Sequence, residues 1–144
     1  MKAVIQRVSN SSVEIDNNIH SKIENGLLVL IGFAKEDKEQ NLEKTVNKIL
    51  KLRIFTENNK FHLSVKDIEG EVLIVSQFTL IADTNKGRRP EFFGAMEQDM
   101  AKEYYLKFIE LFEKNYKKEK IKSGVFGANM KVNLTNDGPI TIIL

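Results

Sequence analysis

The sequence predicts a single α+β domain in which two helices pack on a β-sheet. Three observations support this. Short apolar or alternating runs recur along the chain. Two longer stretches carry apolar residues at helical spacing. The 144 residues fit one domain, and no internal repeat or low-complexity linker divides residues 1–144. A chain of this size buries roughly 68–70% of its unfolded surface, which allows an unaided core.

Ala3 to Val8 reads as the first strand, and Ser12 to Ile15 alternates like a second. Asp16-Asn17-Asn18 then suits a hairpin turn. Gly26 opens the apolar run Leu27 to Ile31, a central strand. Lys38 to Leu52 reads as a helix, because Leu42, Val46, Ile49 and Leu50 recur on one face. Glu57-Asn58-Asn59-Lys60 is a turn before Phe61-His62-Leu63. Val72 to Val75 is a continuous apolar run, as in a strand buried on both faces. Ala82 to Pro90 is polar and loop-like. Glu97 to Lys117 reads as a long helix with an apolar stripe of Met100, Tyr104, Phe108, Leu111 and Phe112. Met130, Val132 and Leu134 alternate with polar residues, and Ile140 to Leu144 is an apolar final strand.

Composition excludes several function classes. There is no cysteine, so there is no thiol nucleophile, disulfide or thiolate metal site. No His/Asp/Glu spacing suits a metal, and no phosphate-binding or dinucleotide glycine pattern occurs. No metal or other cofactor is therefore expected. No apolar run approaches the ~18 residues of a membrane span. Gln6 and Arg7 interrupt any leader-like stretch, so a cytoplasmic protein is expected. Net charge is only +2, so a case for nucleic acid must rest on local clusters.

Two segments stand out. Asn136-Asp137-Gly138-Pro139-Ile140-Thr141 holds one of only two prolines, between strand-like runs. Proline removes a donor and restricts its neighbour, and X–Pro is where a cis bond is cheap. An ordinary Asp-Gly turn is the plain alternative. The second segment, Ser76-Gln77-Phe78-Thr79-Leu80, leaves a buried strand directly. Hydroxyls and an amide there either face a ligand or satisfy their own backbone.

Together, in this order, the two segments resemble the D-aminoacyl-tRNA deacylase family, also called D-tyrosyl-tRNA deacylase. The resemblance covers essentially the whole chain. It includes Met1 to Ser9, Gly26 to Leu30, Lys48 to Phe55, Ala82-Asp83, Lys86-Gly87-Arg88-Arg89-Pro90 and Phe126 to Val132. Phe61-His62 departs from the family's common Met-Asn, and Glu91 from its Ser. Both departures lie outside the two defining motifs and bear on RNA contact and the pocket rim.

The resemblance implies an antiparallel-rich, partly closed β-barrel or sandwich core and a homodimer with its site at or near the subunit interface. It implies hydrolysis of D-aminoacyl-tRNA to tRNA and free D-amino acid. Ser76, Gln77, Phe78 and Thr79 would form the catalytic segment, with Phe78 and Thr79 amides as oxyanion donors. The proton acceptor would be the substrate's 2′-hydroxyl. Thr79 as nucleophile is the alternative, but no base is visible to activate it. Gly138 and Pro139 would form a cis dipeptide entering the partner's site. Its carbonyls would hold the substrate ammonium, so that L-residues clash and glycine does not. Arg7 would brace that dipeptide, although a solvent-facing Arg7 is equally open on strand geometry. Phe126 and Met130 would line the substrate pocket. Val132, Leu134 and Ile140 to Leu144 are candidates for surface covered by a partner.

Lys86, Arg88 and Arg89 place three cations in four residues on a loop, either a solvated patch or a tRNA phosphate contact. Lys117, Lys118, Lys120 and Lys122 follow a helix that starts with Glu97 and Asp99, so the helix dipole explains them without RNA. His20 and His62 lie in polar stretches, away from Ser76 in sequence. A non-catalytic nucleotide or RNA 3′-end binding module is the rival reading, and a purely structural dimer a third.

Overall fold

The computed structural model describes every residue except Asn59 and Lys86. The fold is organised by one long hairpin. β1 (Lys2–Ile15) turns at Asp16 and Asn17, at φ 50° and 62°, and returns as β2 (Asn18–Ile23) and β3 (Gly26–Gly32). Two consecutive positive φ angles match a two-residue loop to the strand twist, and Asp and Asn tolerate them well. β3 pairs with the first half of β1 and β2 with the second, both antiparallel. The two strands expected at Ala3–Val8 and Ser12–Ile15 are therefore one. Polar Asn10 and Ser11 stay in the ladder by pairing with Thr135 and Leu134.

α1 (Gln40–Leu50) follows, then a small separate hairpin of β4 (Phe55–Glu57) and β5 (Lys60–Leu63). β6 (Glu71–Ser76) lies parallel to β3. α2 (Gln98–Asn115) leads to β7 (Ile121–Ser123), parallel to β6. β8 (Lys131–Ile143) returns antiparallel to β1 along its other edge. β2 curls round to touch β6 and β7, so the six-stranded mixed sheet forms a nearly closed barrel.

Strand alternation sorts the apolar residues into two cores. Ala3, Ile5, Val29, Ile31, Val72 and Ile74 face the helices. Val8, Val13, Ile23, Leu28, Leu73 and Val75 fill the barrel. β3 and β6 are thus buried on both faces, as their continuous apolar runs require.

Three expectations need correction. α2 buries Ala101, Tyr105, Phe108 and Phe112, whereas Met100 is 51% exposed. The buried row is centred one residue later than the conspicuous apolar residues imply, because small Ala101 is its first member. β7 lies within the lysine run after the long helix, where no strand is expected, anchored by Ile121 alone. Ile140, Ile142 and Leu144 pack against the chain's own core, leaving only Ile143 and Leu134 as exposed large apolar residues on β8. Among the described residues, no helix is long and apolar enough to cross a membrane.

Candidate active site

Ser76 ends β6, and the Gln77 amide donates to the Ile31 carbonyl at 2.7 Å. The chain then turns through a 3₁₀ segment, Phe78–Ile81, closed by the Leu80 amide on the Gln77 carbonyl at 3.2 Å. Gly32 permits this approach, since a Cβ there would stand 2.6 Å from the Gln77 carbonyl oxygen. The amides of Phe78 and Thr79 open the turn, where backbone donors lack an intrahelical partner. The Gln77 side-chain amide donates to the Thr79 hydroxyl, which is exposed.

Beside this turn lies a cleft of about 540 Å³. Ser76, Gln77 and Phe78 form one side, Phe126, Asn129 and Met130 another, and Val75, Met96 and Val132 add apolar surface. The structure thus brings Phe126 and Met130 to the Ser76 segment, with Thr79 just outside the lining. Among the described residues, none that lines the cleft is ionisable. His20 and His62 stand on exposed strand positions outside it. Among the described residues no cluster suits a metal ion.

The Phe126 wall is held from behind by Tyr105, which sequence reasoning missed. Its hydroxyl donates to the carbonyls of Ile74 (2.8 Å) and Gly124 (3.1 Å). Its ring centroid lies 5.8 Å from that of Phe126. Burial pushes the phenol's pKa well up, opposed by its hydrogen bonds, so it remains a donor. A tyrosine within an apolar helical row, needing a partner for its hydroxyl, was the available signal.

Arg7, Gly138 and Pro139 form a second constellation. Gln6 pairs with Thr141 and Val8 with Asn136, so Asp137, Gly138, Pro139 and Ile140 all face the single Arg7. They form a bulge within one continuous strand, in place of a simple Asp-Gly turn. The Gly138-Pro139 bond is cis. Asn136 staples the bulge: Oδ1 accepts from the Ile140 amide at 2.7 Å, and Nδ2 donates to the Thr141 hydroxyl at 3.0 Å.

Arg7 is only 8% exposed, on the same face as Ala3 and Ile5, so the solvent-facing alternative fails. It reaches the bulge one residue earlier than expected, at the Asp137 carbonyl. None of Arg7, Gly138 and Pro139 lines the cleft. Ser76 pairs with Ile31, and Ile31 with Ala3, four residues from Arg7. Four residues along β1 is ~13 Å, and the three strand spacings from β6 to β8 add ~14 Å across the sheet.

Arg88 and Arg89 are exposed on a loop whose base is pinned by mutual amide–carbonyl bonds between Asp83 and Glu91, at 2.8 and 2.9 Å. Glu91 serves this pin through its backbone, which a serine would do equally. Lys86, the third expected cation, lies outside the described residues.

Residues 4–144 match the family model described as D-Tyr-tRNA(Tyr) deacylase. The chain belongs to this family. A D-aminoacyl-tRNA deacylase of Dictyoglomus turgidum is 48% identical, over 100% of this chain and 92% of that protein. One from Thermosipho melanesiensis is 50% identical, over 100% of this chain and 96% of the relative. Among solved structures, one titled c-Myc DNA Unwinding Element Binding Protein superposes with a TM-score of 0.95 at 44% identity, covering 100% of this chain and 97% of that one. Another, a probable eukaryotic D-amino acid tRNA deacylase, gives 0.85 at 18% identity over 99% and 97%, which shows the deacylase fold.

Proposed function

We propose that this member of the deacylase family hydrolyses the ester joining a D-amino acid to the 3′ end of tRNA, acting in the cytoplasm as a chiral proofreading enzyme. The observation that carries the mechanism is a cleft bordered by Phe78, at the opening of the 3₁₀ turn, with no ionisable side chain among the described residues that line it. Such a site supplies position and oxyanion stabilisation rather than side-chain acid–base chemistry. Water attacks the ester carbonyl, and its proton passes to the substrate's 2′-hydroxyl, which relays a proton to the departing 3′-oxygen. The Phe78 and Thr79 amides face the developing oxyanion. Ser76 and Gln77 hold the substrate, and the Phe126–Met130 wall receives the amino-acid side chain. Arg88 and Arg89, with Lys86, contact tRNA phosphates.

Chirality is read by a second copy of the chain. The Gly138-Pro139 bulge does not line its own cleft, and on this reading it enters the partner's, beside the exposed Leu134 and Ile143 surface. Its carbonyls hold the substrate ammonium, L-side chains collide with the dipeptide, and glycyl-tRNA passes. Charged tRNA ending in 2′-deoxyadenosine tests the mechanism: its D-tyrosyl ester should be cleaved far more slowly than the ribose form. Equal rates would remove the 2′-hydroxyl from the reaction. Sedimentation of an active monomer at micromolar concentration would remove the shared site.

The name of the 44%-identical structure favours one other reading, nucleic-acid binding without turnover. Tight binding of D-tyrosyl-tRNA with no release of tyrosine would establish it.

A further inference from the structure

Beyond the cleft, its rim carries an aromatic group that the fold leaves uncovered. Phe93 is 76% exposed and Phe78 59% exposed, and Phe78 packs against Phe92 at a centroid distance of 4.9 Å. Single exposed apolar residues are ordinary. This group differs in sitting on a hydrogen-bonded turn, next in sequence to a packed aromatic pair and close to charge. The Ala95 amide donates to the Phe92 carbonyl at 2.9 Å, closing a turn with Phe93 and Gly94 at its centre. The Lys35 amide donates to the Gly94 carbonyl at 2.9 Å, fixing that turn to the strand side of the molecule. Ala95, next along, lines the cleft. Immediately before Phe92 lies the pinned base of the loop that presents the exposed Arg88 and Arg89. Asp83 and Glu91 are the carboxylates at that base, while the guanidinium-bearing residues lie along the excursion.

We propose that Phe93 is a stacking platform for the unpaired nucleotides immediately preceding the terminal ribose, with Arg88 and Arg89 on their phosphates. This rests on the deacylase reading, which puts that ribose in the cleft. The rest of the strand must then leave across the rim. Aromatic faces beside cations are the general means of holding single-stranded nucleic acid, because every base offers a π-face.

The test compares wild type, Phe93→Ala and Phe93→Trp on D-tyrosyl-tRNA and on D-tyrosyl-adenosine, which lacks the preceding nucleotides. Phe93→Ala should lower the ratio of kcat/KM on tRNA to kcat/KM on the adenosine ester about tenfold, the scale of one lost base stack. Phe93→Trp should restore it. An unchanged ratio, or an altered sedimentation coefficient placing Phe93 in a subunit contact, would overturn the proposal. Anisotropy with a short single-stranded RNA ending in CCA separates the two readings. If wild type cleaves neither ester, the deacylase reading fails by itself. Weaker RNA binding by Phe93→Ala would still support the platform, and equal binding would sink it.

Discussion

Arg7 holds Asp137 twice: Nε donates to its carbonyl at 3.0 Å and lies 3.2 Å from its carboxylate Oδ2. The same guanidinium donates through Nη1 to the Ile54 carbonyl at 2.9 Å. One buried side chain thus joins the strand that carries the Gly138-Pro139 bulge to the segment entering the β4–β5 hairpin. A planar fork with fixed donor directions suits this bridge.

Arg7→Lys should therefore loosen the bulge. A single ammonium cannot copy both directions, which leaves one buried carbonyl without a donor at about 1–3 kcal/mol. Discrimination between D- and L-tyrosyl-tRNA should fall by a larger factor than the stability loss explains. Urea unfolding and paired deacylation rates measure the two effects. Unchanged selectivity would leave Arg7 a structural strut.

Gly138→Ala should be more damaging than its size suggests. Gly138 has φ 130°, and an added Cβ would meet Ile140 Cγ1 at 2.8 Å and the Ile140 amide nitrogen at 3.1 Å. The side chain can shift, but the nitrogen is held by Asn136. A cost of about 1–3 kcal/mol is expected from the backbone conformation alone. Denaturant midpoints should show it, with a matching rise in L-tyrosyl-tRNA cleavage. A wild-type midpoint would mean that the bulge refolds around alanine.

Much of this was legible in the sequence, and the failures have physical causes. Both helices and most strands follow from periodicity, whereas the grouping of Ser76, Gln77, Phe78, Phe126 and Met130 came from the family resemblance. Strand alternation left open whether Gln6 or Arg7 faces inward, and nothing local says what would receive the Arg7 donors. Asp137 and Ile54 are 130 and 47 residues away. β7 was hidden because one buried isoleucine among lysines has no period.

Thr79→Ala should retain substantial activity. The hydroxyl accepts from the Gln77 amide and, among the described residues, makes no hydrogen bond to a titratable side chain, while the backbone donors of the turn survive the substitution. Single-turnover rates on D-tyrosyl-tRNA provide the check. A loss beyond about a thousandfold with folding intact would match the removal of an essential catalytic group.

Asp67 links stability to acid. Its carboxyl is held below its ordinary value of 3.8 by hydrogen bonds from the Ser64 hydroxyl and amide, with Arg53 and Lys66 adding to these and burial opposing them. The folded state binds this proton less readily than the unfolded state. The stabilisation is therefore complete above the unfolded value and is lost as pH falls from about 3.8 through the lower folded value. Thermal midpoints should drop across that interval in wild type. Asp67→Asn should flatten the drop, and an identical slope would assign acid unfolding to other carboxylates.

Tyr105 offers the clearest separation of support from chemistry. Tyr105→Phe keeps the ring that fills the helix–sheet core and tilts on Phe126, and removes only the hydroxyl. The Ile74 carbonyl still accepts from the Gly124 amide at 2.9 Å, so the Gly124 carbonyl loses most. A stability loss of about 1 kcal/mol follows for one hydrogen bond. Gly124 begins the segment that forms the Phe126–Met130 wall, so freeing it should blur the pocket that receives the amino-acid side chain. KM for D-tyrosyl-tRNA should rise several-fold while kcat changes little, and D-alanyl-tRNA, with less side chain to place, should be affected less. A lower melting temperature with both constants unchanged would confine Tyr105 to the core. A fall in kcat at constant KM would instead put the phenol in the reaction, against its burial behind the wall.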